Sequence, residues 1–400
     1  MIRVWNSAKN PCLALVGALA LSACGRPPPP APPRVEPHAA AHVAPHPQTS
    51  EKAAFDVIEV VAGLDHPWSI AFLPGGGMLV TERPGRLRRI DAAGRVSAPI
   101  RGLPDLYVDG QAGLLDVALS PTFARDGLVY FSFAEPNFRG NKCGTAVARA
   151  RLDGDALRDV EVIYRQEPKL SSGSHLGSRL AFDAQGHLFV TQGENRVAET
   201  AQQLDKLQGK LVRIWPDGRI PDDNPFVGRE GVRPEIWSYG HRNMQGAAID
   251  PATGRLWTSE HGPMGGDELN IPQPGRNYGW PLITYGKDYS GLQVPGSVGT
   301  SGPGLEQPQH WWPVSPALSG MLFYSGRAIP QWKGDLFVGA LAGTALIRLE
   351  RDGDRIVHEE RLLQTLRWRI RDVREGPDGA IWLLTDEDNG RLLRLVPRPR

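Results

Sequence analysis

Polar side chains of the kinds used in proton transfer and charge stabilisation lie at the ends of predicted strands along this chain. They are His175, Glu194, Arg242, Asn243, Glu260, His261, Asp267, Glu268, Arg369 and Arg371. Taken singly, each has a structural explanation, because arginines often tie loops together and turn carboxylates cap backbone N–H groups. The set therefore predicts a functional site only if a second line of evidence joins its members.

Several common catalytic and cofactor motifs are absent from the sequence. Gly75-Gly76-Gly77 lies in a predicted turn between two strands, whereas a phosphate-binding loop joins a strand to a helix. There is no Gly-x-Ser-x-Gly elbow and no Cys-x-x-Cys pair. The 45 basic and 44 acidic residues give a net charge of +1, which argues against a nucleic-acid binder.

A repeated strand unit must position the polar residues. In each copy a short apolar strand is followed by a turn with Pro, Asp or Gly and by a second apolar strand, as a tight hairpin requires. The first strands lie at 69–72, 115–119, 179–182, 247–249 and 371–373, with a weaker copy around Phe323. About six such units predict an all-β, six-bladed β-propeller, with a large sandwich as the alternative.

The units are unevenly spaced, so some connections between strands must be long. The extra length follows Thr191 and lies around 137–143 and 272–316. We expect long loops there on one face of the propeller, where a site is most easily built.

The N-terminal residues predict export and anchoring. Arg3 and Lys9 precede an apolar run at 12–21, which is about half as long as a membrane span. The run ends in Leu21-Ser22-Ala23-Cys24, which resembles the lipobox of bacterial lipoproteins, where the Cys is lipidated. We predict a periplasmic protein anchored to the outer membrane by lipidated Cys24, with an ordinary secretory signal as the alternative.

Three regions follow from this pattern: a signal peptide at 1–23, a Pro/Ala-rich linker at 24–50 and a propeller at 51–400. The linker histidines, His38, His42 and His46, could bind metal loosely, but a solvated polyproline II spacer explains the segment better. Cys143 has no partner for a structural disulfide.

Ordered motifs supply the second line of evidence. The strongest is Tyr239-Gly240-His241-Arg242-Asn243-Met244-Gln245-Gly246. Others lie at 110–115, 175–180, 209–213, 220–225, 259–263, 266–270, 277–281 and 369–373. Over about residues 60–397 the chain resembles the soluble PQQ-dependent aldose sugar dehydrogenases, also called glucose/sorbosone dehydrogenases.

The resemblance implies a six-bladed propeller that oxidises the C1 hydroxyl of an aldose sugar to a lactone, with hydride transfer to the quinone and an unidentified electron acceptor. It implies His175 as the general base, Glu194 as the carboxylate that orients it, and Arg242 as the cation beside the reactive carbonyl. The implied cofactor contacts are Gln111, Arg242, Asn243, Tyr289, Arg369, Arg371 and Thr385.

Calcium is the metal that the resemblance implies, since calcium prefers oxygen ligands. The backbone carbonyls of Gly262 and Pro263 would hold one ion together with the quinone. Glu268 and the carbonyl of Tyr278 match a second, structural site, although a loop-capping role is the alternative for Glu268.

Two positions depart from the family pattern. Glu194 replaces the Asp of the glucose enzymes, and Ala342 stands where the family has a cofactor-contacting Lys. The missing cation predicts weak PQQ binding that Ala342→Lys would tighten, unless a neighbour such as Arg348 fills the gap. It also keeps open a non-enzymatic ligand-binding propeller. A calcium-dependent sugar lactonase-type hydrolase, with carboxylate ligands in the central channel, is the other alternative.

Overall fold

Six antiparallel sheets, arranged as the blades of a propeller, form the part of the chain that this computed structural model describes, residues 44–398. The predicted signal peptide, Cys24 and most of the predicted linker lie outside the described residues. Within residues 44–398 no helix is long and apolar enough to cross a membrane.

The strands in chain order are β1 His46–Thr49, β2 Ala54–Leu64, β3 Pro67–Phe72, β4 Met78–Glu82, β5 Arg86–Ile90, β6 Leu114–Leu119, β7 Leu128–Pro136, β8 Cys143–Asp153, β9 Ala156–Arg165, β10 Leu180–Phe182, β11 Leu188–Thr191, β12 Lys210–Ile214, β13 Ile236–Tyr239, β14 Met244–Ile249, β15 Leu256–Glu260, β16 Asp267–Asn270, β17 His310–Trp312, β18 Leu318–Phe323, β19 Leu336–Ala340, β20 Ala345–Asp352, β21 Arg355–Leu362, β22 Ile370–Glu375, β23 Ile381–Thr385 and β24 Gly390–Pro397. The helical segments in the same part of the chain are α1 Phe123–Asp126 and the 3-10 turns Ala198–Gln202, Pro330–Trp332 and Gln364–Leu366.

Each blade begins with an inner strand that contacts the inner strands of its two neighbours. The blades are β3-β4-β5, β6 to β9, β10 to β13, β14 to β17, β18 to β21, and β22-β23-β24-β2-β1. The contacts between inner strands run from β3 through β6, β10, β14, β18 and β22 back to β3, which closes the ring. The prediction of a six-bladed propeller is confirmed.

Turn chemistry explains why the hairpins form where the sequence predicts them. In the first blade Leu73 N donates to Gly77 O at 3.0 Å, which closes the turn between β3 and β4. Gly75, Gly76 and Gly77 all have positive φ, between 79° and 101°, a region that glycine enters without steric cost. The glycine run is therefore a hairpin loop and does not bind phosphate through a helix terminus.

The last blade is completed by a strand from the beginning of the described chain. β2 pairs with β24 from Phe55 opposite Pro397 to Leu64 opposite Gly390. Phe55 and Val57 of β2 pack in one buried cluster with Leu393 and Leu395 of β24. The first and last long strands of the described residues are thus held in one core.

The predicted linker gives way to regular structure before its expected end at residue 50. His46–Thr49 forms β1, which pairs with β2 from His46 opposite Val57 to Thr49 opposite Ala54. The His46 ring packs edge-on against Trp368 at 5.3 Å, so this histidine has a packing role. Pro47 is tolerated because β1 is the outermost strand of its sheet, where a missing N–H costs no ladder bond.

Candidate active site

A cavity of about 240 Å³ lies at the propeller axis, where inner strands from several blades end. Trp68 of β3, Leu115 of β6, Gln245 of β14 and Arg371 of β22 all line it. Its other lining residues include Arg83, Gln111, Gly177, Asn243, His261, Leu341, Arg369 and Asp386. Four of the predicted cofactor contacts, Gln111, Asn243, Arg369 and Arg371, therefore meet in one space.

The axial cavity carries more positive than negative charge. Arg371 is 6% exposed; its Nη2 donates to Asp386 Oδ2 at 2.6 Å and its Nη1 to Gln245 Oε1 at 2.8 Å. Arg369 Nη2 reaches the same Asp386 oxygen at 3.5 Å. Burial alone would raise the pKa of Asp386, but Arg371 and the other nearby arginines hold it well below its usual range. Burial lowers the pKa of His261 to about 3, so this imidazole is uncharged at neutral pH.

A fully buried ion-pair network lies beneath the cavity. Arg179 Nη1 is 3.3 Å from Asp116 Oδ1 and 3.0 Å from Asp372 Oδ1, which joins three inner strands or their ends. Arg179 also donates to the backbone oxygens of Gln245 and Arg371, at 2.9 and 3.1 Å. Arg179 therefore fixes the backbone from which two cavity side chains project.

A second, more open cavity of about 520 Å³ adjoins this site. It is lined by His175, Glu194, Arg242, Pro263, Trp280 and Tyr289, together with polar groups such as Arg196, Gln202 and Asp288. Tyr289 is 66% exposed and belongs to this cavity, not to the axial one. The three predicted catalytic residues thus share one wall.

His175 and Glu194 form a buried pair at this wall. His175 Nδ1 lies 2.8 Å from Glu194 Oε1 and 2.9 Å from Oε2, and the two residues are 6% and 2% exposed. An ionised carboxylate only accepts hydrogen bonds, so an ionised Glu194 selects the neutral tautomer in which Nδ1 carries the proton and Nε2 keeps its lone pair. The longer Glu side chain therefore reaches the imidazole with both oxygens.

The backbone around the pair is held in an unusual conformation. His175 has φ of 53°, and its N–H donates to Gln111 Oε1 at 2.9 Å. Asn195 N donates to His175 O at 3.2 Å, across Gly193. A Cβ on Gly193 would lie 1.8 Å from His175 O, so only glycine permits this approach. Gln111 thus lines the axial cavity and also holds the backbone of the histidine in the open cavity.

Arg242 lines the open cavity and contacts the loop after β15. Its Nη1 donates to His261 O at 3.0 Å and to Gly262 O at 2.7 Å, and its guanidinium lies 5.2 Å from the Trp280 ring centre. Arg242 Nε is buried and has no hydrogen-bond partner within residues 44–398. Asn243, the next residue, accepts from Gly177 N at 3.1 Å. These contacts hold a cation with an unused donor at the wall shared with His175.

Two neighbouring carboxylates lie in a third, small cavity beside Arg242. Glu260 of β15 is the register partner of Glu268 of β16, and Gly262 and Tyr278 line the same space. Burial raises the pKa of Glu260 to about 8 and, with Glu260 nearby, raises that of Glu268. Paired buried carboxylates favour a bound cation or a proton. The predicted structural calcium ligands Glu268 and Tyr278 are therefore brought together, with Glu260 as a neighbour.

Thr385 lies opposite Ile370, between Arg369 and Arg371, but its side chain is engaged elsewhere. Its hydroxyl accepts from Arg391 N at 2.9 Å and lies 3.5 Å from Glu387 Oε2, and Thr385 does not line the axial cavity. The adjacent Asp386 points into that cavity instead. The hydroxyl thus has a turn-stabilising role at the end of β23.

Four residues around the site were not assigned a role from the sequence: Arg83, Arg179, Glu260 and Asp386. Arg179 and Glu260 lie inside recognised motifs, and their burial as charged groups is the signal that distinguishes them. Arg83 follows the last residue of β4 and Asp386 the last residue of β23, so each is a charged residue at the same end of a second blade strand.

The chain is similar to known proteins over most of its length. The family model described as Glucose / Sorbosone dehydrogenase matches residues 64–394. The aldose sugar dehydrogenase YliI of Escherichia coli (strain K12) is 52% identical over 338 residues, which cover 84% of this chain and 91% of that protein.

Solved structures extend the likeness to three dimensions. The apo-form of the soluble aldose sugar dehydrogenase from Escherichia coli has a TM-score of 0.84 at 51% identity, covering 86% of this chain and 100% of that chain. The PQQ-bound form of the aldose sugar dehydrogenase from Streptomyces coelicolor has a TM-score of 0.70 at 30% identity, covering 86% of this chain and 99% of that chain.

Proposed function

Because the chain belongs to the glucose/sorbosone dehydrogenase family, we propose that it oxidises the C1 hydroxyl of aldose sugars to lactones with PQQ as cofactor. The observation that supports this most strongly is the buried His175–Glu194 pair on the wall of an open cavity, next to an axial cavity lined by arginines. When bound, PQQ supplies the electrophilic quinone carbonyl that accepts the hydride from C1.

The residues of the axial cavity fit an anionic cofactor. Arg83, Arg369 and Arg371 face a single carboxylate, Asp386, so the cavity has an excess of two positive charges. Arg371 Nε is buried without a hydrogen-bond partner in the described part of the chain, which leaves a donor for a ligand. A tricarboxylate such as PQQ would satisfy such donors through charge-assisted hydrogen bonds.

In the proposed reaction His175 takes the proton from the C1 hydroxyl. Glu194 holds the Nδ1 proton, so the lone pair for this step is on Nε2. As His175 becomes an imidazolium, the nearby Glu194 carboxylate stabilises its charge. Glu194 is therefore a positioning residue with an electrostatic effect on the same step.

Arg242 would stabilise the negative charge that a hydride brings to the oxygen of the accepting carbonyl. Its guanidinium is fixed by the carbonyls of His261 and Gly262, so no reorganisation is needed when the charge appears. Trp280 and Tyr289 offer aromatic faces against which the apolar face of a pyranose ring can pack. The open cavity is thus suited to a sugar whose C1 end approaches the axial cavity.

Calcium would be held by oxygen atoms near Arg242. Gly262 O already accepts from Arg242 Nη1, but a carbonyl oxygen has a second lone pair for a metal. Glu268 and the carbonyl of Tyr278 would hold the structural ion, where a divalent cation offsets the repulsion between Glu260 and Glu268.

The central acidic residues do not favour a lactonase-type metal site. Asp116 and Asp372 are both paired with Arg179 and with Arg374, whose nitrogens lie 3.0–3.3 Å from their oxygens. A metal ligand set built on them would have to displace both arginines.

We also propose that lipidation of Cys24 anchors the protein to the outer membrane in the periplasm. The Pro-rich segment before His46 would then separate the propeller from the membrane surface.

The decisive experiment follows glucose-dependent dye reduction by apoprotein after addition of PQQ and calcium. We expect turnover only with PQQ, and His175→Gln should lower kcat by two or more orders of magnitude while leaving PQQ binding intact. His187→Gln is the matched control, because His187 Nδ1 also contacts a carboxylate, Asp183, at 2.8 Å but lies outside both cavities. Full activity of His175→Gln would contradict the assigned base.

The same samples separate the alternatives. Lactone hydrolysis that needs calcium and no PQQ would identify a hydrolase. PQQ binding without any sugar-dependent dye reduction would identify a non-enzymatic binding protein.

A further inference from the structure

A third arginine, Arg83, adds to the positive charge of the axial cavity, although the sequence does not mark it as a cofactor contact. It lies directly after β4, whereas Arg369 and Arg371 belong to the last blade. All three line the same cavity. The cavity is therefore bordered by cations from opposite ends of the described chain.

The backbone of Arg83 is fixed by its neighbours. Arg83 N donates to His66 O, and Leu114 N donates to Arg83 O, both at 3.0 Å. A Cβ on Gly113 would lie 1.8 Å from Arg83 O, so only a glycine at position 113 allows these two backbone segments to approach so closely. The direction in which the Arg83 side chain leaves the backbone is thereby set by two blades.

The guanidinium of Arg83 is not committed to a carboxylate. Its Nη1 donates to Gly110 O at 2.9 Å, and within residues 44–398 it forms no ion pair. The cavity carboxylate, Asp386, is bound instead to Arg371 and Arg369. Arg83 thus has donors that no protein carboxylate occupies within the described residues.

Neither position 342, where the family has a lysine, nor Arg348 places a cation in the axial cavity. Ala342 is exposed and does not line the cavity, although the adjacent Leu341 does. Arg348, the cation that the sequence offers as a replacement, is fully buried elsewhere. Its nitrogens lie 2.7–2.9 Å from carboxylate oxygens of Asp335, Glu350 and Glu360. Arg348 therefore cannot reach the cofactor.

We propose that Arg83 binds a carboxylate of the quinone cofactor and supplies the cation that the family lysine supplies in its relatives. This inference rests on the proposed function. Arg369, Arg371 and Arg83 together match the three carboxylates of PQQ in number, and Arg242 remains for the reactive carbonyl. The cofactor site is then complete without a cation at position 342.

A purely structural role for Arg83 must be separated from this one. Through Gly110 O it also holds the loop of Gln111, which in turn accepts from His175 N. Loss of Arg83 could therefore loosen the loop without removing any ligand contact. A charge-specific probe distinguishes the two roles.

The experiment titrates apoprotein with PQQ and, in parallel, with PQQ trimethyl ester, by quenching of tryptophan fluorescence. Trp68 lines the cavity and serves as a reporter. The variants are Arg83→Gln, Arg83→Met as a second neutral form that keeps the apolar stem, and Arg83→Lys. Arg89→Gln is the matched control, because Arg89 donates to a backbone oxygen, Gly154 O, at 3.2 Å but lies outside the cavity. Thermal unfolding verifies that each variant is folded.

We expect the neutral variants to raise the Kd for PQQ about ten- to a hundredfold. Arg83→Lys should stay within about tenfold of wild type, and Arg89→Gln within about twofold. For the triester, which lacks the carboxylate charges, the neutral variants should change the Kd by less than about threefold.

Two results would overturn the inference alone: a PQQ Kd within about threefold of wild type in both neutral variants, or an equal loss for PQQ and its triester. Failure of the wild-type protein to bind PQQ would overturn the proposed function and this inference together.

Discussion

Replacing Glu194 with Gln tests how the general base is prepared. Glu194→Gln keeps the size of the side chain but removes the charge that faces His175 Nδ1 through two oxygens, at 2.8 and 2.9 Å. An amide can turn its NH₂ group towards Nδ1. The imidazole proton would then move to Nε2, and the atom that must accept the sugar proton would already carry one.

The expected loss of kcat depends on which group of the introduced amide faces His175 Nδ1. If the amide presents its oxygen, only the charge assistance is lost, which is about 1–1.5 kcal/mol or roughly tenfold in rate. If it presents its NH₂ group, general-base catalysis is lost, which is worth about 10²–10⁴-fold. Glu194 is 2% exposed, so water cannot easily replace it, and we expect kcat to fall by at least about a hundredfold.

Steady-state dye-reduction kinetics of the PQQ-loaded variant measure the loss, and fluorescence titration measures PQQ affinity. The loss should appear in kcat, and the PQQ Kd should be nearly unchanged because Glu194 does not line the axial cavity. Glu194→Asp keeps the charge but withdraws it by about 1.5 Å, so its activity should be intermediate. Asp183→Asn, in the outer His187 pair, is the control. A fully active Glu194→Gln enzyme would refute the assigned tautomer.

Three further changes test other parts of the molecule. Cys24→Ala should release the protein from the membrane fraction or leave an unprocessed precursor; wild-type protein found wholly soluble with an unmodified N-terminus would contradict the anchor. Ala342→Lys should leave the PQQ Kd within about threefold, because position 342 is exposed outside a cavity that already holds three arginines; a PQQ Kd about tenfold tighter than that of the wild type would support the weak binding expected from the missing family lysine. Burial would raise the pKa of Glu359, but hydrogen bonds from His310, Arg361 and Trp312 lower it to about 2. A carboxylate with a folded pKa below its unfolded value of about 4.3 stabilises the fold above that pH and loses this effect as the pH falls towards 2. Glu359→Gln should therefore flatten the acid dependence of the unfolding free energy by about 1–2 kcal/mol, and an unchanged slope in acid denaturation would contradict this.

Local chemistry made the blades predictable from the sequence. The expected first strand at 69–72 lies within β3 Pro67–Phe72, and the second strand expected at 78–82 is β4 Met78–Glu82. Such hairpins are specified by alternation and by a few turn residues, all of which are adjacent in the chain. β1 was missed because His46–Thr49 has the composition of a linker and is ordered only by pairing with β2.

The site was predictable where both partners lie near each other in the sequence, and less so where charged residues from distant blades meet across the ring. His175 and Glu194 are 19 positions apart and flank one hairpin. Arg83 and Asp386 come from the first and last blades, so their shared cavity exists only once the propeller closes. Tyr289 was expected at the cofactor but lines the open cavity, because the course of a long loop is not encoded in any local period.

The pairing of β2 with β24 governs when this chain can become native. Phe55 and Pro397 are partners, so the last blade stays incomplete until the chain has been synthesised beyond Pro397. Closing so long a loop is entropically costly, and contacts of such sequence separation make folding slow. If the protein is exported as proposed, this delay is an advantage. A chain whose propeller cannot close early stays unfolded and can pass through a translocation channel. Folding is then completed on the far side of the membrane.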